Sequence, residues 1–99
     1  MENIQRIVVK VGTSTLTTEN GHLDIEKIKK IVLELSNLQD KGYDVILVTS
    51  GAVGAGMGLL NISEKPKTLA EKQMLSAVGQ VSLMQIYQTL FKEHNKIIG

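Results

Sequence analysis

The chain has 99 residues, and its Lys and Arg outnumber Asp and Glu by 11 to 10, a formal net charge of +1 at pH 7. That length suits one core, and the absence of Cys excludes a disulfide-stapled module, a thiolate nucleophile and Cys-based metal centres. With no basic excess or cluster, nucleic acid is not an expected partner. The apolar share is 42%, and 31 of those residues are Ile, Leu or Val against three aromatics. Such a composition suits buried strands covered by helices and not a base-stacking platform.

No apolar run approaches the roughly 18 residues of a membrane span. The opening stretch Met1-Glu2-Asn3-Ile4-Gln5-Arg6 lacks a signal-peptide core. The expectation is a soluble cytoplasmic protein with no membrane partner.

Ile4 to Val11 reads as a first strand. Its β-branched run Ile7, Val8, Val9 and Val11 predicts burial on both faces of a parallel sheet. Gly12 to His22 reads as a long Thr/Ser/Gly/Asn-rich loop, a length that often carries function. An amphipathic helix follows, with Ile25, Ile28, Ile31, Val32, Leu35 and Leu38 at three- and four-residue steps. Asp24 is its expected N-cap, and Lys41-Gly42 its stop.

Val45 to Val48 is the second predicted strand, which completes a βαβ unit. Gly51, Gly54, Gly56 and Gly58 then fall within eight positions, a crowding that predicts close approach to a ligand. Thr68-Leu69-Ala70-Glu71 has the capping-box pattern and opens a long helix running to about His94. Its apolar face is broad, and Gly79 inside it costs about 1 kcal/mol relative to Ala, which predicts a close-packing role. Lys96 to Gly99 reads as the opening of a third strand.

Two features break the local rules, and both lie at the carboxyl ends of predicted strands, where open α/β sheets bind ligands. Lys10 interrupts a β-branched strand, so it either snorkels from an edge or holds an anion, and Gly12-Thr13-Ser14 beside it offer amide and hydroxyl donors. Thr49-Ser50-Gly51-Ala52 leaves the second strand and enters a helix, whose free amides make an anion cradle. A tight turn packed closely by its glycines is the competing reading. No Walker loop, GxGxxG fingerprint or GxSxG elbow is present. His22 and His94 have no ligand spacing and read as surface residues.

Three blocks carry a resemblance: Val8-Val9-Lys10-Val11-Gly12-Thr13-Ser14, Val48-Thr49-Ser50-Gly51-Ala52-Val53, and Lys72-Gln73-Met74-Leu75-Ser76-Ala77-Val78-Gly79-Gln80. In order and spacing they resemble the amino-acid kinase family, and the third block points to the member acting on glutamate. The resemblance implies a three-layer α/β sandwich with a mostly parallel sheet, of which residues 1–99 would be the N-terminal part without the nucleotide-binding half. It implies ATP-dependent phosphorylation of the glutamate side-chain carboxylate, the first step toward proline. Lys10 would be catalytic; Lys10, Gly12, Thr13 and Ser14 would line the phosphate path; Ser50, Gly51 and Ala52 would hold glutamate.

The implied partners are L-glutamate and ATP, with Mg2+ arriving on the nucleotide and no metal-ligand cluster in this segment. The full-length enzyme would be a homo-oligomer, and the 99-residue chain inactive alone. Alternatives are a family member acting on acetylglutamate or aspartate, a non-catalytic anion-binding α/β module, or an assembly fragment using the broad apolar helix.

Overall fold

The computed structural model of the chain describes residues 4–99. In chain order it contains β1 (Arg6–Val11), α1 (Thr13–Leu16), α2 (Ile25–Asp40), β2 (Asp44–Thr49), α3 (Ala52–Leu59) and α4 (Leu69–Lys92). The strands pair in parallel, from Arg6 opposite Asp44 to Val11 opposite Thr49. Because the register is level, both strands end side by side, and the loops that follow them start from one edge.

The helix ends form as their capping chemistry dictates. The Asp24 side chain accepts from the amides of Glu26 and Lys27 at the start of α2. Gly42, at φ +97°, ends it, with its amide on the Gln39 carbonyl and the Tyr43 amide on the Leu38 carbonyl, a Schellman pair. At α4 the Thr68 hydroxyl accepts from the Glu71 amide, and the Glu71 carboxylate accepts from the Lys67 amide. The capping box is thus shifted by one residue on its return bond.

One face of the sheet carries the core. Val9, Val11, Val45 and Leu47 pack against Ile28, Val32 and Leu35 of α2 and Leu83, Tyr87, Leu90 and Phe91 of α4. The other face is open: Val8 is 56% exposed and Val48 48%. Burial on both faces, expected from the β-branched runs, is therefore not met within residues 4–99. A β-branched run shows that a strand can be covered on two sides, while the cover itself must come from elements outside the run.

Three further expectations change. The segment Gly12 to His22 is not a plain loop, because α1 makes one helical turn in it and Thr17 bridges Leu23. Leu16 closes that turn and is fully buried, so the segment is anchored by a core side chain. Residues 96–99 form no strand; Ile97 is almost fully exposed, while Ile97, Ile98 and Gly99 line a cleft of about 300 Å³ along β2 with Val45, Ile46 and Leu47. Strand geometry needs a ladder of backbone partners, and none is made there. His22 is half-buried, and its Nε2 lies 2.7 Å from the Ile62 carbonyl, tying the first loop to the turn after α3.

The glycines after β2 have a structural occupation. A Cβ at Gly79 would collide with the Ala52 carbonyl, and one at Gly56 with the Leu75 carbonyl. Helices α3 and α4 therefore cross backbone to backbone. A Cβ at Gly54 would lie 2.6 Å from the Gly21 carbonyl, so the first loop folds back onto α3 at that point. The close-packing role expected for Gly79 holds. Close approach to a ligand does not account for Gly54 or Gly56, whose free side is filled by the protein's own backbone.

Candidate active site

The level register of β1 and β2 brings Gly12-Thr13-Ser14 beside Ser50-Gly51-Ala52. The Ser50 amide donates to the Val11 carbonyl at 3.1 Å, which extends the pairing one residue past the strands. The Ser50 hydroxyl also reaches that carbonyl, at 3.2 Å, and can only donate there. Its single proton is thereby used, so it accepts from the Thr13 hydroxyl at 3.1 Å. The two strand tips are joined by a directed pair of hydroxyls. A ligand oxygen binding either hydroxyl would exchange places with one of these bonds, and Val11 would keep the Ser50 amide.

The first tip is held from below. The Thr17 hydroxyl donates to the Thr13 carbonyl at 2.8 Å, and Lys27 Nζ of α2 donates to the Thr17 carbonyl at 2.9 Å. The Asp24 amide donates to the Leu16 carbonyl at 2.8 Å. Gly12, Thr13 and Ser14 themselves are exposed. Gly12 has φ −83°, which any residue adopts, and a Cβ there would meet no atom within 4 Å. Among the described residues nothing requires a glycine at that position. The tip thus presents an uncovered backbone at Gly12 and two exposed hydroxyls, the kinds of donor that anions use.

The second tip is more enclosed. Gly51 is buried in the left-handed region at φ +113°, and its Cβ position faces Leu16, Leu23 and Leu83 at 3.3–3.7 Å. That conformation turns the chain from β2 into α3, and Ala52 follows as the first helical residue. The Ala52 carbonyl lies against Gly79, so this residue also serves the helix crossing.

Lys10 stands apart from these contacts. It is exposed, opposite Val48, on the open face of the sheet with Val8 and Ile46. Among the described residues it makes no ion pair and no side-chain hydrogen bond. The structure thus joins Thr13 to Ser50 and places Lys10 beside them on another face, without contact. Among the described residues no three His, Cys, Asp or Glu side chains converge on a common point.

Comparison with known proteins decides the family. The profile described as "Amino acid kinase family" matches residues 5–96. The chain belongs to the amino acid kinase family. It is 61% identical over 92 residues to the glutamate 5-kinase of Caldanaerobacter subterraneus subsp. tengcongensis, covering 93% of this chain and 25% of that protein. It is 52% identical to the glutamate 5-kinase of Clostridium tetani over all 99 residues, 37% of that protein, and 45% identical to that of Lactococcus lactis over 97 residues, 36% of that protein. The chain thus spans between a quarter and somewhat over a third of the length of the curated relatives it matches. The α/β arrangement and parallel pairing agree with membership of this kinase family.

One residue touching the site, Tyr87, escaped the sequence reading, whereas Thr49 opens the Thr49-Ser50-Gly51-Ala52 segment that the sequence singles out. Thr49 bonds the Ser50 carbonyl at 2.8 Å, and Tyr87 of α4 lies 2.7 Å from the Thr49 hydroxyl. The signal was a tyrosine at a core position of an apolar helix, because a buried phenol needs a polar partner.

Proposed function

We propose that this chain supplies the N-terminal portion of an ATP-dependent kinase domain that phosphorylates the side-chain carboxylate of glutamate, with the nucleotide-binding half outside these residues. A carboxylate oxygen attacks the γ-phosphorus of ATP, the bond to the bridging oxygen breaks, and ADP leaves with that electron pair. The product is an acyl phosphate. The observation that carries the reading is the Thr13–Ser50 hydroxyl pair, which unites two donor-rich strand tips beside an uncovered Gly12. High identity to glutamate 5-kinases across this segment supports glutamate as the acceptor.

The physical task is to bring two anions together. Two unit charges 4 Å apart repel by about 4 kcal/mol at an effective dielectric of 20, and a triphosphate carries several charges. Positioning and charge neutralisation therefore dominate catalysis. Lys10 supplies the positive charge for the transferring group, while Gly12, Thr13 and Ser14 offer amide and hydroxyl donors along the phosphate path. Ser50 and the amides of Gly51 and Ala52, at the positive end of α3, hold the acceptor carboxylate. Mg2+ enters with the nucleotide as part of that substrate. The three-layer sandwich of the family would cover the open sheet face with a second helical layer. The cytoplasm is the proposed location, since both substrates are dissolved there; among the described residues no helix is long and apolar enough to cross a membrane.

The test is a fusion in which this chain replaces the matching segment of the Clostridium tetani relative. Glutamate-dependent ADP release is expected from the fusion and not from the 99-residue chain alone. Lys10→Ala in the fusion is expected to lower kcat by about 100-fold or more with no change in thermal unfolding. An unchanged kcat removes Lys10 from the reaction, and ADP release by the isolated chain overturns its dependence on further residues.

A further inference from the structure

Among the described residues Tyr87 is the largest of the fully buried side chains, 1% exposed, and belongs to α4. Its ring packs on Phe91 at a centroid distance of 6.3 Å. A phenol in an aliphatic core is costly unless its hydroxyl is bonded, and the partner here is Thr49, the last residue of β2. Thr49 Oγ1 also lies 2.8 Å from the Ser50 carbonyl, an acceptor with no proton to give. Thr49 has one proton and spends it on Ser50, so it must accept from Tyr87. The direction of the chain follows: Tyr87 donates to Thr49, and Thr49 donates to the Ser50 carbonyl. Burial raises the Tyr87 pKa above its ordinary 10.0, against a smaller lowering by the Thr49 bond, so the phenol keeps the proton it donates at neutral pH.

The Ser50 carbonyl belongs to the peptide that joins Ser50 to Gly51. In a trans peptide the carbonyl and the amide point opposite ways, and every described peptide bond here is trans. Holding the carbonyl toward Thr49 therefore turns the Gly51 amide away from the Thr49–Tyr87 pair. Among the described residues no backbone carbonyl accepts from the Gly51 amide. A left-handed Gly51 keeps this arrangement free of side-chain strain.

We infer that Tyr87 is a positioning residue: through Thr49 it locks the plane of the Ser50–Gly51 peptide, so that the Gly51 amide is presented as a donor to a carboxylate substrate. The inference rests on the reading of Ser50, Gly51 and Ala52 as the acceptor-binding segment. Without the phenol the Thr49 hydroxyl is free to rotate, and the peptide loses its fixed orientation.

Tyr87→Phe keeps the ring and removes only the donor. In the fusion it is expected to raise KM for glutamate about tenfold, the loss of one charge-assisted hydrogen bond, with kcat and KM for ATP within about twofold. Thr49→Val is expected to match it, the double variant to do no worse than either, and Thr49→Ser, which keeps the hydroxyl, to behave as the parent. In the 99-residue chain labelled with 15N-glycine, Tyr87→Phe should move the Gly51 amide resonance and leave that of Gly58 in place. A motionless Gly51 resonance overturns the lock. A moved resonance with unchanged KM, in a fusion whose Ser50→Ala variant does raise KM, overturns the positioning role. Parallel losses in kcat and both KM values with a lowered melting temperature also overturn it, since a loosened core would suffice. If Ser50→Ala leaves KM for glutamate unchanged, the acceptor-site reading is what fails, and the Gly51 resonance alone then decides the lock.

Discussion

Gly12 at the tip of β1 and Gly79 inside α4 are both glycines where another residue would look more natural, and they differ in what lies opposite. At Gly79 the missing side chain is replaced by the Ala52 carbonyl of a crossing helix; at Gly12 there is nothing within 4 Å. The first is a packing glycine, needed for two backbones to touch. The second has an ordinary φ and no neighbour among the described residues, which make no demand for a glycine there. A glycine is thus informative about ligand approach only when the protein has not already filled the space. By that criterion Gly54 and Gly56 belong with Gly79, while Gly12 leaves room for the role proposed for it.

The largest effect is expected at the helix crossing. Gly79→Ala places a methyl group against backbone atoms that cannot swing aside, and is expected to cost about 3 kcal/mol or more. Chemical unfolding measures it, and a loss under about 1 kcal/mol, the scale of an ordinary surface substitution, would show that α3 and α4 separate easily. A smaller effect, of the opposite character, is expected at the strand tip. Gly12→Val should leave the unfolding midpoint unchanged and raise KM for ATP in the fusion about tenfold, since the branched side chain fills the approach. Unaltered kinetics would remove Gly12 from the phosphate path. The smallest change sharpens the criterion within α3. Gly58 is helical, and a Cβ there would lie 3.9 Å from His22 Nδ1, an ordinary contact. Gly58→Ala should therefore stabilise the chain by about 0.5–1 kcal/mol, the helix-propensity gain, where its neighbour Gly56 would not accept the change. Destabilisation at Gly58 would mean that the whole glycine run is sterically filled.

Helix α4 shows why a residue can matter to a site it does not line. Tyr87 sits among Leu83, Leu90 and Phe91, and its apolar neighbours in the sequence hide its hydroxyl. Periodicity reads it as one more core position. Only the fold brings it to Thr49, 38 positions earlier in the chain, and through Thr49 to Ser50.

Much of this protein was legible in local pattern. Asp24 and Thr68 cap the helices expected of them, Gly42 ends α2 in a left-handed turn, and the two β-branched runs form strands. These outcomes depend on neighbours within about four residues or on a short periodicity, so the sequence alone determined them. Lys10 and the Gly12 to Ser14 and Ser50 to Ala52 segments stand out in the sequence as residues that break a local rule, and the roles proposed for them are for the kinetic variants to test. What tertiary structure decided is everything that needed a distant partner. It left one sheet face open, laid residues 96–99 beside β2 without strand pairing, made a turn of helix inside the first loop, and bound His22 to the Ile62 carbonyl. It also assigned the glycines their occupants and gave Thr13, Ser50, Thr49 and Tyr87 their proton directions. The physical reason is the same in each case: a backbone group or a hydroxyl has no preferred partner until packing brings one within about 3 Å of it.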